Sequence, residues 1–321
     1  MKTPSIRTLI ALGLGGLLAV ACGARTGLRA ERAPDDPVEP AASPDAGKDA
    51  TKDATKDAPL DATDAFLEAD APGVKDDCTD PSVKYVYAVS NEAELFSLDP
   101  QDGAYLKIGD LSCSKTSTPF SMAVDRVGTA FVLYSDGHLY RVSTKTAKCE
   151  TTSFVPGQLG FQQFGMGFAT IDEGPDEELY VAATQEQGNQ PGLSALGRID
   201  TKGFVLAKVG DFKPPQKGAE LTGTGDGRLF GFVADPGGPG TRIVQIDKKT
   251  AKIVAEEELP DVELGTGWAF AAWGGDFYLF TTPDGDPRVT RYEVKTGKTT
   301  VLAHLSSSIV GAGVSTCAPD D

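Results

Sequence analysis

One module recurs along this chain, and its clearest copy is Thr129–Lys148, TAFVLYSDGHLYRVSTKTAK. Two short runs of β-branched and aromatic residues flank Asp136-Gly137, and a second turn signal follows at Thr146-Ala147. That order reads as strand, hairpin, strand, turn. The closing part of the module returns as LFSLDPQDGAYLKIGDL from Leu95, LGRIDTKGFVLAKVGDF from Leu196, IVQIDKKTAKIVAEEEL from Ile243 and VTRYEVKTGKTTVLAHL from Val289. The turn positions Gly103, Ala147, Gly203, Ala251 and Gly297 repeat every 44 to 56 residues. A period in that range with about four strands per unit predicts the blades of an all-β propeller.

The strand count sets the number of blades. Three strands (Tyr85–Ser90, Glu94–Leu98 and Ala104–Gly109) come first, and four full sets begin at Phe120, Phe164, Leu221 and Trp268. One strand, Ile309–Thr316, is left at the end. It predicts a five-bladed ring in which the C-terminal strand becomes the innermost strand of the first blade. The first strand of each set is rich in small residues, as in SMAVD from Ser121, GMGFATID from Gly165 and VGAGVST from Val310. Small residues let backbones approach closely around the axis of so small a ring.

Ahead of the propeller, two segments read as an address and a spacer rather than as fold. Lys2 and Arg7 precede an apolar run, Leu9–Val20, that is too short for a comfortable membrane span. Small residues and a cysteine follow, Ala19-Val20-Ala21-Cys22-Gly23, so residues 1–21 are expected to be an export signal. The cysteine directly after the small residues resembles a bacterial lipoprotein signal. That resemblance implies that Cys22 becomes the first mature residue and carries acyl chains, an anchor in the membrane. Gly23, where an aspartate would suggest retention at the inner membrane, points to the outer membrane of the cell envelope. From Ala30 to Asp77 the composition changes to Asp, Ala, Pro, Lys and Thr, with KDAT, KDAT and KDAP repeated in tandem from Lys48. Such a stretch buries too little apolar surface to offset its ordering entropy. Residues 22–77 are therefore expected to be a disordered tether, spanning about 35–40 Å as a flexible coil. Residues 78–321, long enough for one large core, make the propeller domain.

The net charge of −16 divides as +4 over residues 1–29, −9 over 30–77 and −11 over the rest. An acidic head without a basic stripe argues against a nucleic-acid partner. Besides Cys22 there are four cysteines, and an even number in an exported chain predicts disulfides. Blade register selects the pairing. Cys113 closes the first blade and Cys149 opens the outer strand of the second, whereas Cys78 and Cys317 bracket the ring seam. The expected bonds are Cys113–Cys149 and Cys78–Cys317. A zinc site is not expected, since no C-x-x-C pair exists and both histidines lie elsewhere.

No catalytic constellation stands out. His138 and His304 sit by turns, no G-x-S-x-G occurs, and KTGKTT at Lys295–Thr300 has Tyr292 where a phosphate loop needs glycine. Pro-Asp-Gly-Asp-Pro around Gly285 is a turn signal before it is a cation site. No metal or cofactor is therefore assigned. If the ring binds a ligand, the mouth of its axis is the default place. Phe164, Glu220 and Trp268 start three inner strands there, where a carboxylate with aromatics suits a sugar or a cation.

The spacing and the hydrophobic-D-x-x-T-G-K turn, over Lys84–Cys317, resemble bacterial propellers of the NHL and YVTN types. By analogy of fold, that resemblance implies a non-catalytic binding or scaffold module for protein or glycan partners, anchored to the membrane by its lipid. The alternative is a calcium-dependent propeller hydrolase of the lactonase or esterase type, which needs several carboxylates and an asparagine on the axis. Asn91 and Asn189 are the only asparagines, both in apparent turns or loops.

Overall fold

The computed structural model describes residues 78–171, 175–183, 193–235, 238 and 240–320. The signal, Cys22 and the tether through residue 77 lie outside the described residues, as does Asn189.

Among the described residues, twenty strands form five four-stranded antiparallel sheets. Blade 2 holds β4 (Pro119–Val124), β5 (Thr129–Tyr134), β6 (Leu139–Ser143) and β7 (Cys149–Thr151). Blade 3 holds β8 (Phe164–Thr170), β9 (Glu177–Ala183), β10 (Ala195–Ile199) and β11 (Leu206–Asp211). Blade 4 runs β12 (Glu220–Gly223), β13 (Leu229–Ala234), β14 (Thr241–Ile246) and β15 (Ile253–Leu259). Blade 5 runs β16 (Trp268–Trp273), β17 (Asp276–Thr281), β18 (Arg288–Glu293) and β19 (Lys298–His304). Blade 1 is assembled from both ends of the domain: β1 (Val86–Ser90), β2 (Glu94–Leu98) and β3 (Tyr105–Asp110) are completed on the inside by β20 (Ile309–Val314). Tyr87 faces Gly313 and Ala88 faces Ala312 across that seam. The last strand therefore closes the ring as expected, and the blade count is five.

The close approach of the inner strands follows from their small residues. On the side turned toward the next blade, blade 1 carries Gly311 and Gly313, blade 2 Ser121 and Ala123, blade 3 Gly165 and Gly167, and blade 5 Ala269 and Ala271. A Cβ on Gly311 would lie 2.6 Å from the Met122 nitrogen, and one on Gly167 would lie 2.8 Å from the Leu221 carbonyl carbon. Blade 4 departs from the pattern with Glu220 and Thr222. Hydroxyls on this side, from Ser121 of blade 2 and Thr222 of blade 4, cap backbone N–H groups that would otherwise face the axis unpaired. Ser121 Oγ accepts the Met166 N–H at 3.2 Å, and Thr222 Oγ1 accepts the Ala272 N–H at 3.2 Å. Between blades, aromatic and branched side chains fill the wedges, with Phe131, Phe164 and Phe168 between blades 2 and 3, and Phe230, Phe270 and Phe277 between blades 4 and 5.

The repeated outer turn has one geometry. In four blades an acceptor side chain opens the turn and takes the N–H two residues on: Asp99 to Gln101, Ser143 to Lys145, Asp200 to Lys202 and Asp247 to Lys249. The fifth residue is left-handed and donates back to the first. These residues are Gly103, Ala147, Phe204, Ala251 and Gly297. The third blade corrects the sequence reading: the position belongs to Phe204 (φ 54°), not Gly203, and β11 starts at Leu206. The Phe204 ring is buried against Phe131 and carries the Arg141 guanidinium 5.2 Å from its centroid. Burial therefore outweighs the cost of a left-handed non-glycine residue. β7 is short and ends at Thr151, because Thr152 Oγ1 donates to Leu139 O and accepts the Phe154 N–H as Phe154 turns into the core.

Both disulfides are present, Cys78–Cys317 and Cys113–Cys149, with Cα separations of 5.5 and 5.2 Å. The second is a lateral link between blades 1 and 2, because the outer strand of one blade meets the outer turn of the next. Gly109 lies against Ala147 there, as Gly210 lies against Thr250 and Ala251 two blades on.

Candidate functional site

The ring has two ends that differ in kind. At the lower end, where the inner strands finish, the C-terminal tail Ser315–Asp320 crosses the axis and meets every blade. Cys317 is bonded to Cys78 ahead of blade 1, and its sulfur lies 3.7 Å from Arg126 O of blade 2. Thr316 Oγ1 donates to Glu177 of blade 3 at 2.8 Å. Asp320 accepts the Gly225 N–H of blade 4 at 3.2 Å, and Pro319 O accepts the Gly274 N–H of blade 5 at 2.8 Å. Ser315, Thr316, Cys317 and Ala318 are all buried, so the tail is a seal rather than a loose end.

The seal encloses carboxylates. Burial pushes Glu177 up to about 7, against the hydrogen bonds from the Arg126 amide and Thr316 that favour its charged form. Burial and the neighbouring Asp226 charge push Asp320 up to about 6, and burial also raises Asp125. Arg126 and Arg228 are the cations nearest these groups. Between the ordinary carboxylate pKa and the raised one, the unfolded chain has lost the proton and the folded chain still holds it. Stability therefore falls as pH rises from about 4.5 to 7. For Glu177 the loss is about 3 kcal/mol. The expected result is a melting temperature that drops between pH 5 and 7.5 in the wild type. The drop should be markedly smaller in Glu177→Gln, whose amide oxygen can still accept the Arg126 N–H; an unchanged slope in that variant would contradict the assignment.

At the upper end, where the inner strands begin, the sequence-selected residues occupy three environments. Phe164 is fully buried between blades 2 and 3, edge-on to Phe154 with centroids 5.9 Å apart. Glu220 is buried inside the ring, where Ser121 Oγ donates to its Oε2 at 2.7 Å from two blades away, and burial holds its carboxyl well above the usual range. Trp268 is half-buried against the core between blades 4 and 5 and pairs across the strands with Thr281. Phe164 and Trp268 are thus on different inter-blade wedges, and Glu220 is an internal strut.

Trp268 leads to a feature the sequence reading did not select. Thr281 lines a cleft of about 280 Å³ between blades 4 and 5. Leu279, Thr281, Arg288, Thr290 and Tyr292 share the blade 5 face turned to blade 4, by strand register. Toward the axis that face is apolar core; further out Arg288, Thr290, Thr299 and Val301 form the floor of the cleft. Asp261 and Glu263 wall it from the blade 4 side, and Asp284 stands at its lip. Thr281 and Thr290 are 3% and 5% exposed, and both line the cleft. Around them, Arg288 Nε, Trp268 Nε1 and Thr282 Oγ1 are buried and have no hydrogen-bond partner among the described residues. Buried polar groups in native proteins are normally satisfied, so this concentration marks a place for something polar. The signal in the sequence was the run EEELPDVE at Glu256–Glu263, five acids in eight residues.

His138 and His304 stay at exposed turns beside Asp136 and Asp286, at 3.3 and 2.8 Å. Lys295–Thr300 spans the outer turn and β19. Among the described residues, no three His, Cys, Asp or Glu side chains are grouped as a metal site, and no helix is long and apolar enough to cross a membrane.

Fold and site together define a five-bladed propeller closed by its own C-terminal strand, with one sealed end and an acidic inter-blade cleft. No family model matches the sequence, and no curated protein matches it. Among solved structures, a chain of the nidogen/laminin complex is similar at 9% identity and a TM-score of 0.47, covering 71% of this chain and 97% of that one. TolB from Acinetobacter baumannii is similar at 14% identity and a TM-score of 0.40, covering 70% of this chain. This chain spans about half of TolB, 53%. Both are distant likenesses, and the blade count rests on the sheets themselves.

Proposed function

We propose that this protein is a lipid-anchored module of the cell envelope, most simply of the outer membrane, whose propeller binds a partner without catalysing a reaction on it. Cys22 carries the acyl chains, residues 22–77 are the tether, and the head holds a protein or glycan partner on its upper end. The observation that carries this reading is the lower end. The chain enters the head at Cys78, that cysteine is bonded to the buried C-terminal tail, and the tail occupies the lower mouth of the axis. The anchor side and the sealed side are then the same, which leaves the upper loops and the outer blade edges to face outward. A hydrolase reading has no comparable support, because its axial carboxylate, Glu220, is engaged by Ser121 inside the ring.

Two experiments test the proposal in a bacterial host. The full chain is expected to incorporate a clickable palmitate analogue and to sediment with membranes; Cys22→Ser should abolish the label, and label retained in that variant would refute the anchor. A photoreactive residue at His138, on the upper end, should cross-link a discrete partner. The same residue at Lys202, in a lower turn, should not. The opposite pattern would refute the outward face.

A further inference from the structure

Each blade ends in an open edge strand, and exposed edges are normally guarded by charge or brevity. Here four of the five follow that rule. β3 carries Lys107 at its centre, β11 carries Lys208, β15 carries Glu256, Glu257 and Glu258, and β7 is only three residues long with Glu150 in the middle. β19 is the exception: seven residues long, it has no charged side chain between Lys298 and His304, and it exposes Val301 and Leu302. Among the described residues, its outer side pairs with no strand.

The unguarded edge and the acidic cleft adjoin. Thr299 and Val301 of β19 lie in the floor of the cleft, so a strand added beside β19 would place every second side chain on that face. The volume of about 280 Å³ is at the lower limit for small-molecule pockets and suits a single long side chain. The charge chooses that side chain. Asp261, Glu263 and Asp284 outnumber Arg288, which leans on Asp286 at 3.5 Å. Thr281 and Thr290 line the cleft and offer hydroxyl oxygens as acceptors within it. Glu256–Glu258 alongside extend the negative field that would draw a basic segment in.

We propose that β19 and this cleft form a docking site for an extended, basic protein segment, which adds a strand to blade 5 and inserts one lysine or arginine between blades 4 and 5. Backbone pairing supplies affinity and the acidic cleft supplies selectivity. The inference rests on the reading of the head as a binding module and names the class of its partner.

The test uses the full chain purified in detergent and a fluorescein-labelled decapeptide of alternating threonine and lysine, followed by fluorescence anisotropy. Saturable binding is expected. It should weaken at least about tenfold in the Asp261→Asn/Asp284→Asn variant and in Val301→Lys, provided their melting temperatures match the wild type. It should weaken similarly when the peptide lysines are norleucine, or when alternate peptide amides are N-methylated, which keeps the charge but blocks the ladder. No binding by the wild type, equal binding by the asparagine variant, or equal binding of the methylated peptide would each overturn the proposal. The cross-linking at His138 separates the two readings. A partner captured there with no peptide binding would remove this site and leave the module standing, whereas peptide binding with no partner captured would do the reverse.

Discussion

Replacing Cys78 and Cys317 together by serine is expected to cost this protein more stability than any other change of two atoms. The bond joins residues 239 apart. In the chain-entropy model, a loop of that length confers about 5 kcal/mol, against about 4 kcal/mol for the 36-residue separation of Cys113–Cys149. For a domain of this size, 5 kcal/mol corresponds to a fall of roughly 10–20 °C in melting temperature. The structure adds a second reason. Cys317 sits in the tail that seals the lower mouth, so losing the bond also loosens Thr316 from Glu177 and Asp320 from Gly225. Calorimetry on the oxidised wild type and on each serine pair separately measures the difference. The ordering is the sharp part: the seam pair should cost more than the lateral pair, and the reverse ordering would mean that the tail contributes little to holding the ring.

Gly165→Ala should be the next most damaging change, although it adds one carbon. The Cβ would press on the Ala219 carbonyl and come within 2.7 Å of Glu220 Cα. These are backbone atoms of the neighbouring blade, and no side chain there can turn aside. Overpacking that forces backbone movement costs about 1–3 kcal/mol and sometimes more, and this position belongs at the top of that range. Gly103→Ala is the control. Its Cβ would meet nothing within 4 Å, and its only penalty is the left-handed backbone, φ 75°. That penalty is about 1 kcal/mol. Chemical denaturation of both variants decides between them. Equal losses would mean that the inner strands have room to part, contrary to the packing described.

The blade count, the closing strand and both cysteine pairs were legible in the sequence because each depends on period and order, which the repeat exposes directly. Where the reading slipped, a tertiary contact had overruled a local preference. Gly203 looked like the left-handed turn residue because glycine favours that conformation. Phe204 holds the position instead because its ring closes the wedge against Phe131 and under Arg141. The tail could not be read at all. CAPD at Cys317–Asp320 looks like an ordinary chain stretch, and only the ring shows that Cys78, Arg126, Glu177, Gly225 and Gly274 converge on this tail. The cleft was half visible. The acidic run Glu256–Glu263 is plain in the sequence, but Thr281, Thr290 and Thr299 come together only through strand register across β17, β18 and β19.

Phe164, Glu220 and Trp268 share a sequence position at the starts of inner strands, yet they differ in fate for a physical reason. Side chains on successive strand residues point to opposite faces. Phe164 and Trp268 therefore turn back toward the preceding blade, whereas Glu220 turns forward and inward to Ser121. Equal phase along the chain did not mean equal direction in space.

Amide hydrogen exchange on the oxidised full chain tests the closed ring most directly. If β20 is the innermost strand of blade 1, the amides of Gly311 to Val314 exchange as slowly as those of β4 and β8, and β1 is protected along with them. Exchange of that segment within seconds, while the other inner strands remain protected, would show a ring that its last strand does not close.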